Sequence, residues 1–342
     1  MTNSPDIRFD VASVLNRGCR DYQEDAIATD FPVGADFGYA VLSDGMGGHA
    51  AGDVASKIVV TEVFSELKFQ SSNVEDFSSN VVDVLQSAAI SANACMAAHT
   101  SSNPDTAGMG ATLIAPVFVK DRLFWISIGD SPLYLYRDGV LTQLNEDHSL
   151  GPHIDYMVRS GMMSEDVGRN HPDRNALTSV LIGEAIERID CPAKPVRVLD
   201  DDIFVVASDG LQFLTNREIR SVLDAHKDDD AGKIADTLLK KLIKLNDPEQ
   251  DNISFSIIKA AVRTANGTAH PSEFGRQEKP RQVTTRPLMT QPAEPHHDEI
   301  APVSARTSVE DMPPPSPAPA AKREGEPIFL RRRWLASDGS GA

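Results

Sequence analysis

The sequence predicts an α+β fold of mostly antiparallel sheet with helix pairs packed outside it, and three observations carry that reading. Phe37, Tyr39 and Val41 alternate with Gly38, Ala40 and Leu42, the period of a buried strand, and similar short apolar runs recur after Gly108. The links between those later runs are shorter than the dozen or more residues that a parallel crossover needs, so neighbouring strands are expected to be antiparallel. Helical spacing appears in two separate pairs of stretches, within residues 49–100 and in REIRSVLDA with GKIADTLLKKLIKL. Strands, helix pair, strands, helix pair and a last strand suit sheets covered by helices.

Taken in order, IRFDVASVL (residues 7–15) reads as a strand, and NRGCRDYQEDA as a loop leading into a short strand, AIATDF. The strand FGYAVLS stops at Asp44, where Gly45, Gly47 and Gly48 open a turn into a helix. Val59, Val60, Val63, Phe64 and Leu67 form one apolar stripe, and Phe77, Val81, Leu85, Ala88, Ala92 and Met96 a second, with His99 read as a helix-end histidine. GMGATLIAPVFV, RLFWISIGD and PLYLYRDGVLTQL follow as strands, the last with an Asp138-Gly139 hairpin signal. Residues 149–182 are polar and glycine-bearing and read as a small irregular subdomain. IFVVASDG is a strand ending at Asp209, and after two helices NDPEQDNISFSIIKA closes the domain.

The chain has 342 residues and a formal charge of −17, which is unevenly spread. Residues 1–262 hold 22 Lys and Arg against 40 Asp and Glu, whereas the remainder holds 11 against 10. An acidic domain disfavours nucleic acid and suits carboxylates gathered around cations. Twelve of the 22 prolines follow residue 262, where apolar periodicity also ends. The expected organisation is a domain over 1–262 and a disordered Pro-rich tail over 263–342, in which IFLRRRW has the mixed look of a short linear motif. Cys19, Cys95 and Cys191 make no disulfide framework and no zinc pair. With no apolar leader and no run of membrane-spanning length, the expectation is a soluble, cytoplasmic, monomeric protein without membrane insertion.

Carboxylates recur at strand ends: Glu24 and Asp25 before AIATDF, Asp44 after FGYAVLS, Asp130 after RLFWISIG, Asp209 after IFVVAS and Asp251 before NISFSII. Singly, each fits a turn aspartate, and the Asp44 stretch fits an ordinary strand-to-helix turn. Gathered in one cleft they would repel one another unless cations neutralised them. Two acidic runs read otherwise, Asp228 to Asp230 as a helix cap and Asp200 to Asp202 as a solvated turn.

In order along residues 7 to about 260, GCRDYQED, LSDGMGGHAAG, GMGAT, IGDS, DHSL, NALT, VVASDGL and DNIS resemble the bacterial metal-dependent serine/threonine protein phosphatases, the PPM family or protein phosphatase type 2C. The resemblance implies an α-β-β-α sandwich of two antiparallel sheets flanked by helix pairs, with residues 149–182 as the flap subdomain. It implies two divalent ions, Mn or Mg, and a third, weaker one: Asp44 bridging two ions with the Gly45 carbonyl on one, Asp209 and Asp251 on the other, Glu24 and Asp25 directly or through waters, and Asp130 with Asp209 at the third. Arg20 would grip the substrate phosphate as a fork, and Asn252 would orient Asp251. The implied reaction is hydrolysis of phosphoserine and phosphothreonine in proteins by a hydroxide bridging the ions, opposing a Ser/Thr kinase in signal transduction.

The sequence departs from the family at three places. Met46 occupies the position of a proton-donating histidine in eukaryotic members, so a water on the ions is the first candidate for the acid and His49 the second. Gln23 replaces the usual Asn before Glu-Asp, and Pro132 replaces the Arg of GDSR. Two other readings remain. Cys191 and Arg197 have the C-x5-R spacing of a cysteine phosphatase, but Pro192 and Pro195 have no N–H to cradle a phosphate. A non-catalytic scaffold of the same fold, recruiting partners through its tail, would be favoured by loss of a metal aspartate, and Asp44, Asp209 and Asp251 are all present.

Overall fold

Strand alternation sorts the chain into two sheets and three apolar layers. The computed structural model describes residues 6–47 and 50–263, all within one compact unit; His49 and the Pro-rich tail with its IFLRRRW segment lie outside the described residues. One sheet runs β2 (Asp25–Asp30), β3 (Phe37–Met46), β5 (Leu113–Val119), β6 (Arg122–Ile128) and β9 (Val196–Arg197), with the short β4 (Gly110–Ala111) also paired to β3. The other runs β1 (Asp6–Asn16), β11 (Ile253–Arg263), β10 (Ile203–Ala207), β7 (Leu133–Arg137) and β8 (Val140–Gln143). Every one of these strand pairs is antiparallel.

The period of two decides what each face meets. In β3, Tyr39 and Val41 pack beneath α1 (Ala50–Gln70) and α2 (Val74–Ser102), while Ala40 and Leu42 face the second sheet. In β10, Val205 and Ala207 pack beneath α5 (Asn216–His226) and α6 (Ala231–Leu245), while Phe204 and Val206 face inward. The result is the expected α-β-β-α sandwich. Thr215 and Glu218 close a capping box at the start of α5, and Asp230 caps α6 by accepting from the Lys233 N–H at 2.7 Å, as the acidic run before that helix predicts. Asp138 and Gly139 both have positive φ, which makes the β7–β8 connection the tight hairpin that their sequence signals.

Between the sheets the two ends differ. Phe9, Phe31, Phe118 and Phe204 stack with ring centroids 4.9–5.8 Å apart at one end. The other end, where β2 and β11 begin and β3 and β10 finish, is polar and holds the acidic residues.

Four expectations are corrected. The short link from β6 to β7 is no hairpin: residues 129–132 carry the chain from one sheet to the other. Asp202 is not solvated; it is buried, takes two hydrogen bonds from Arg137 at 2.7 and 2.6 Å and accepts from the Leu199 N–H. By length and composition α2 is apolar enough to cross a membrane, with a mean hydropathy of 1.3, although its Phe77-to-Met96 stripe is buried on the sheet. Finally, β11 continues through Arg263, opposite Asp6, so the last strand runs one residue past the expected boundary.

Candidate active site

The site is assembled from chain segments far apart in sequence, and strand register brings them together. Asp25 lies directly opposite Asp44 across β2 and β3, so both carboxylates project from the inter-sheet face that carries Ile27 and Leu42. β3 does not stop at Asp44: Gly45 and Met46 continue it by pairing with Ala111 and Gly110. From the opposite sheet, Ser208 follows β10 on the same inward face, and its hydroxyl donates to Asp25 Oδ2 at 2.8 Å. Burial, with the charges of Asp209 and Asp251 adding to it, pushes the Asp25 carboxyl up to about 7 despite that hydrogen bond. The charges of Asp209 and Asp251, beside one sheet, therefore act on Asp25 of the other.

Asp209 and Asp251 are brought near by close backbone contact. A Cβ on Gly210 would lie 1.8 Å from the Asn252 carbonyl oxygen, so only glycine lets the turn after β10 lie against the entry to β11. Gln250 adds a bond from Nε2 to the Gly210 carbonyl at 3.1 Å. The loop carrying Arg20 is laid on the same entry: Cys19 N donates to the Gln250 carbonyl at 3.0 Å, and Arg20 Nη2 reaches Asp251 Oδ2 at 2.7 Å. Arg20 thus points into the acidic group.

The Asn252 side chain does something other than orient Asp251. Its Oδ1 accepts from Glu24 N at 2.7 Å, and its Nδ2 donates to the carbonyls of Arg17 at 2.8 Å and Tyr22 at 2.9 Å. It clasps both ends of the loop that bears Arg20 and Glu24, and only its backbone N–H meets the Asp251 carboxylate. Gln23 bonds locally, accepting from Asp25 N at 3.0 Å. The Gly45 N–H donates to the Glu24 carbonyl at 3.0 Å, tying that loop to β3.

Thr112, Ser131 and Ser208 have roles that the sequence reading missed. Thr112 Oγ1 accepts from Asp44 N at 2.9 Å and pairs with Ser131 Oγ at 2.8 Å, while Thr112 N donates to the Asp44 carbonyl at 2.9 Å. These buried hydroxyls connect Asp44 to the link that carries Asp130, which is itself buried. The signal was present in GMGAT and IGDS, beside glycines that narrow the approach. Residues 149–182 hold two short helices, α3 (Gly151–Arg159) and α4 (Glu165–Arg169), braced by Arg174 on Asp155 at 2.8 and 3.0 Å.

Among the described residues no three carboxylate, imidazole or thiol groups converge as a closed set of metal ligands. The groups present still fit hard divalent cations by chemistry: the donors are oxygens, and several carboxylates lie close enough to repel one another. Among the described residues no zinc-type set of thiolates or imidazoles is found.

Cys191 is a poor nucleophile. Burial, then the charges of Asp190 and Asp83, push its thiol up to about 12, and Sγ lies 4.0 Å from the Val82 carbonyl on α2, away from Arg20 and Asp44 in the fold. In a phosphopeptide assay Cys191→Ser is accordingly expected to match the wild-type protein within about twofold, as for a substitution outside the reacting groups.

Two face-to-face antiparallel sheets, a helix pair outside each and a group of carboxylates at one end of the inter-sheet layer define the class of α-β-β-α sandwich proteins with an acidic site. The family model for protein phosphatase 2C matches residues 20–241. The chain belongs to the protein phosphatase 2C family. The serine/threonine protein phosphatase PstP of Mycobacterium tuberculosis is 31% identical over 216 residues, which cover 62% of this chain and 38% of PstP. The chain therefore spans well under half the length of that relative. The serine/threonine phosphatase stp of Listeria monocytogenes is 31% identical over 188 residues, 55% of this chain and 72% of that protein. Among solved structures, the catalytic domain of PstP in complex with two manganese ions superimposes with a TM-score of 0.60 at 26% identity, covering 75% of this chain and 99% of that one.

Proposed function

We propose that this protein hydrolyses phosphoserine and phosphothreonine in proteins with the help of divalent cations, opposing a Ser/Thr kinase. The observation that carries the proposal is the Asp25–Asp44 cross-strand pair facing Asp209, Asp251 and Arg20 from the other sheet and its loop. The structural relative with two manganese ions supports divalent cations here, with Mn the first candidate and Mg the second.

In this reading Asp44, the Gly45 carbonyl, Asp209 and Asp251 hold two cations, Glu24 and Asp25 act on them directly or through water, and Asp130 with Asp209 serves a third. When bound, the cations supply Lewis acidity and bring the pKa of water toward neutrality. The protein's own part is placement. Asp25 and Asp44 lie on a rigid strand pair, Thr112 fixes the Asp44 peptide on both sides, and Asn252 fixes the loop of Arg20 and Glu24. Arg20 turns from Asp251 to the substrate phosphate, where two parallel N–H donors match two oxygens. Met46 has no proton to give, so water is the first candidate to protonate the leaving alkoxide and His49 the second. All of these groups come from one chain, so the site is complete in a monomer. Three free thiols, one of them exposed, fit a reducing cytoplasm.

The test is a phosphothreonine peptide incubated with purified protein and Mn. Phosphate should be released, and no phosphate should remain on the protein after acid quench; a covalent phosphoenzyme would rule out direct attack by water. Arg20 separates binding from metal holding. Arg20→Ala is expected to lower kcat/KM by about ten- to a hundredfold, equivalent to losing a charge-assisted contact of about 1.5–3 kcal/mol, with Mn affinity undiminished. Arg20→Lys should recover only part of the loss. Calorimetry alongside phosphopeptide kinetics checks both, and lost Mn binding in Arg20→Ala would refute the assigned role.

A further inference from the structure

The link of residues 129–132 passes between the sheets, and apart from the Pro132 carbonyl, which accepts from Ala207 N of β10 at 3.0 Å, it joins neither hydrogen-bond ladder. Its other backbone groups need partners elsewhere, and segment 145–148 supplies them for Gly129 N, Gly129 O and Ser131 O. Asn145 Nδ2 donates to the Ser131 carbonyl at 3.0 Å, and its Oδ1 accepts from Leu133 N at 2.8 Å. His148 holds Gly129 at both ends: its backbone N donates to the Gly129 carbonyl at 3.0 Å, and its Nδ1 accepts from Gly129 N at 3.2 Å. Gly129 has φ +106, and a Cβ there would lie 2.6 Å from Thr112 Cγ2, so the link has little room to shift.

The imidazole is fully buried, and burial disfavours its charged form. A neutral ring that accepts at Nδ1 carries its proton on Nε2. That Nε2 has no hydrogen-bond partner among the described residues, with Glu146 Oε2 at 3.8 Å. A buried N–H left in that condition is costly, so the bond to Gly129 is what the ring is held for. On its other side, the His148 carbonyl accepts from Thr178 N at 2.7 Å and from Thr178 Oγ1 at 2.9 Å, at the return of the flap.

We propose that His148 is a positioning residue whose Nδ1 fixes the Gly129–Asp130 peptide and ties the placement of the Asp130 carboxylate to the flap return at Thr178. The consequence for cations rests on the phosphatase reading above; the backbone consequence does not.

The direct test is exchange of the Gly129 amide, followed by NMR in the wild-type chain, His148→Ala and His148→Asn, since Asn Oδ1 takes nearly the position of Nδ1 and accepts the same N–H. His148→Ala should speed exchange at least about tenfold by opening this bond, and His148→Asn should restore it to near wild type. Imidazole nitrogen shifts should show Nδ1 unprotonated and Nε2 protonated. In Mn calorimetry, His148→Ala should weaken the weakest binding event about tenfold and leave the tighter ones in place, a size usual for groups that orient ligands. Should His148→Ala fail to fold, Thr178→Val removes only the hydroxyl bond on the flap side and should speed Gly129 exchange about threefold by the same local opening. Unchanged Gly129 exchange in the folded variant used, or failure of His148→Asn to restore it, would overturn the assignment. A wild-type protein that neither binds Mn nor releases phosphate would instead defeat the phosphatase reading and leave the exchange result standing.

Discussion

Asp44→Asn is expected to lower kcat for a phosphothreonine peptide by about a thousandfold, with a melting temperature near that of the wild type. The size follows from Lewis-acid stabilisation of several kcal/mol, each 1.4 of which is about tenfold in rate. Asparagine keeps the volume of the side chain, and the backbone bonds of residue 44 to Thr112 do not depend on its charge. Only the anionic oxygens are lost. The informative outcome is the split: a variant equally inactive and unfolded would make Asp44 a structural residue, and a folded, active one would remove it from the site.

Asn252→Ala is expected to fail differently, losing stability and activity together. The substitution leaves Glu24 N, Arg17 O and Tyr22 O without their partner beside a buried position. At about 1 kcal/mol or more for each group the loss is roughly 3 kcal/mol, or a fall in Tm of about 6–12 °C for a domain of this size. Activity should drop by roughly a hundredfold, because the loop of Arg20 and Glu24 loses its clasp and an ångström of misplacement is that costly. Thermal melting and phosphopeptide kinetics on one preparation check both parts. Wild-type stability in Asn252→Ala would show that the loop is held by something else.

Much of this was legible in the sequence because alternation is a local property. Phe37 to Leu42 announced a buried strand by their alternation, and Asp209 and Asp251 lie beside the strands they were read against, whereas Asp44 sits inside β3 and not at its end. What was not legible depends on pairing across distance. Asn252 clasps residues 228 to 235 positions away, so no window around DNIS reveals its partners. The link after Ile128 has the length of a hairpin, and only the apolar faces of β6 and β7 show that it changes sheets. Asp202 looked like surface acid in a run of three, but its neighbour Asp201 takes a positive φ and turns the chain so that Asp202 meets Arg137. The hydroxyls of Thr112 and Ser131 sat inside motifs whose carboxylates and glycines drew the assignment.

The central claim is that carboxylates from two sheets form one cation-dependent phosphatase cleft. Phosphate release from a phosphothreonine peptide, measured with purified protein in Mn and again after addition of excess chelator, tests it most directly. The account predicts steady release in Mn, loss of it in chelator and recovery when Mn is restored. Release that continues undiminished in chelator would contradict it.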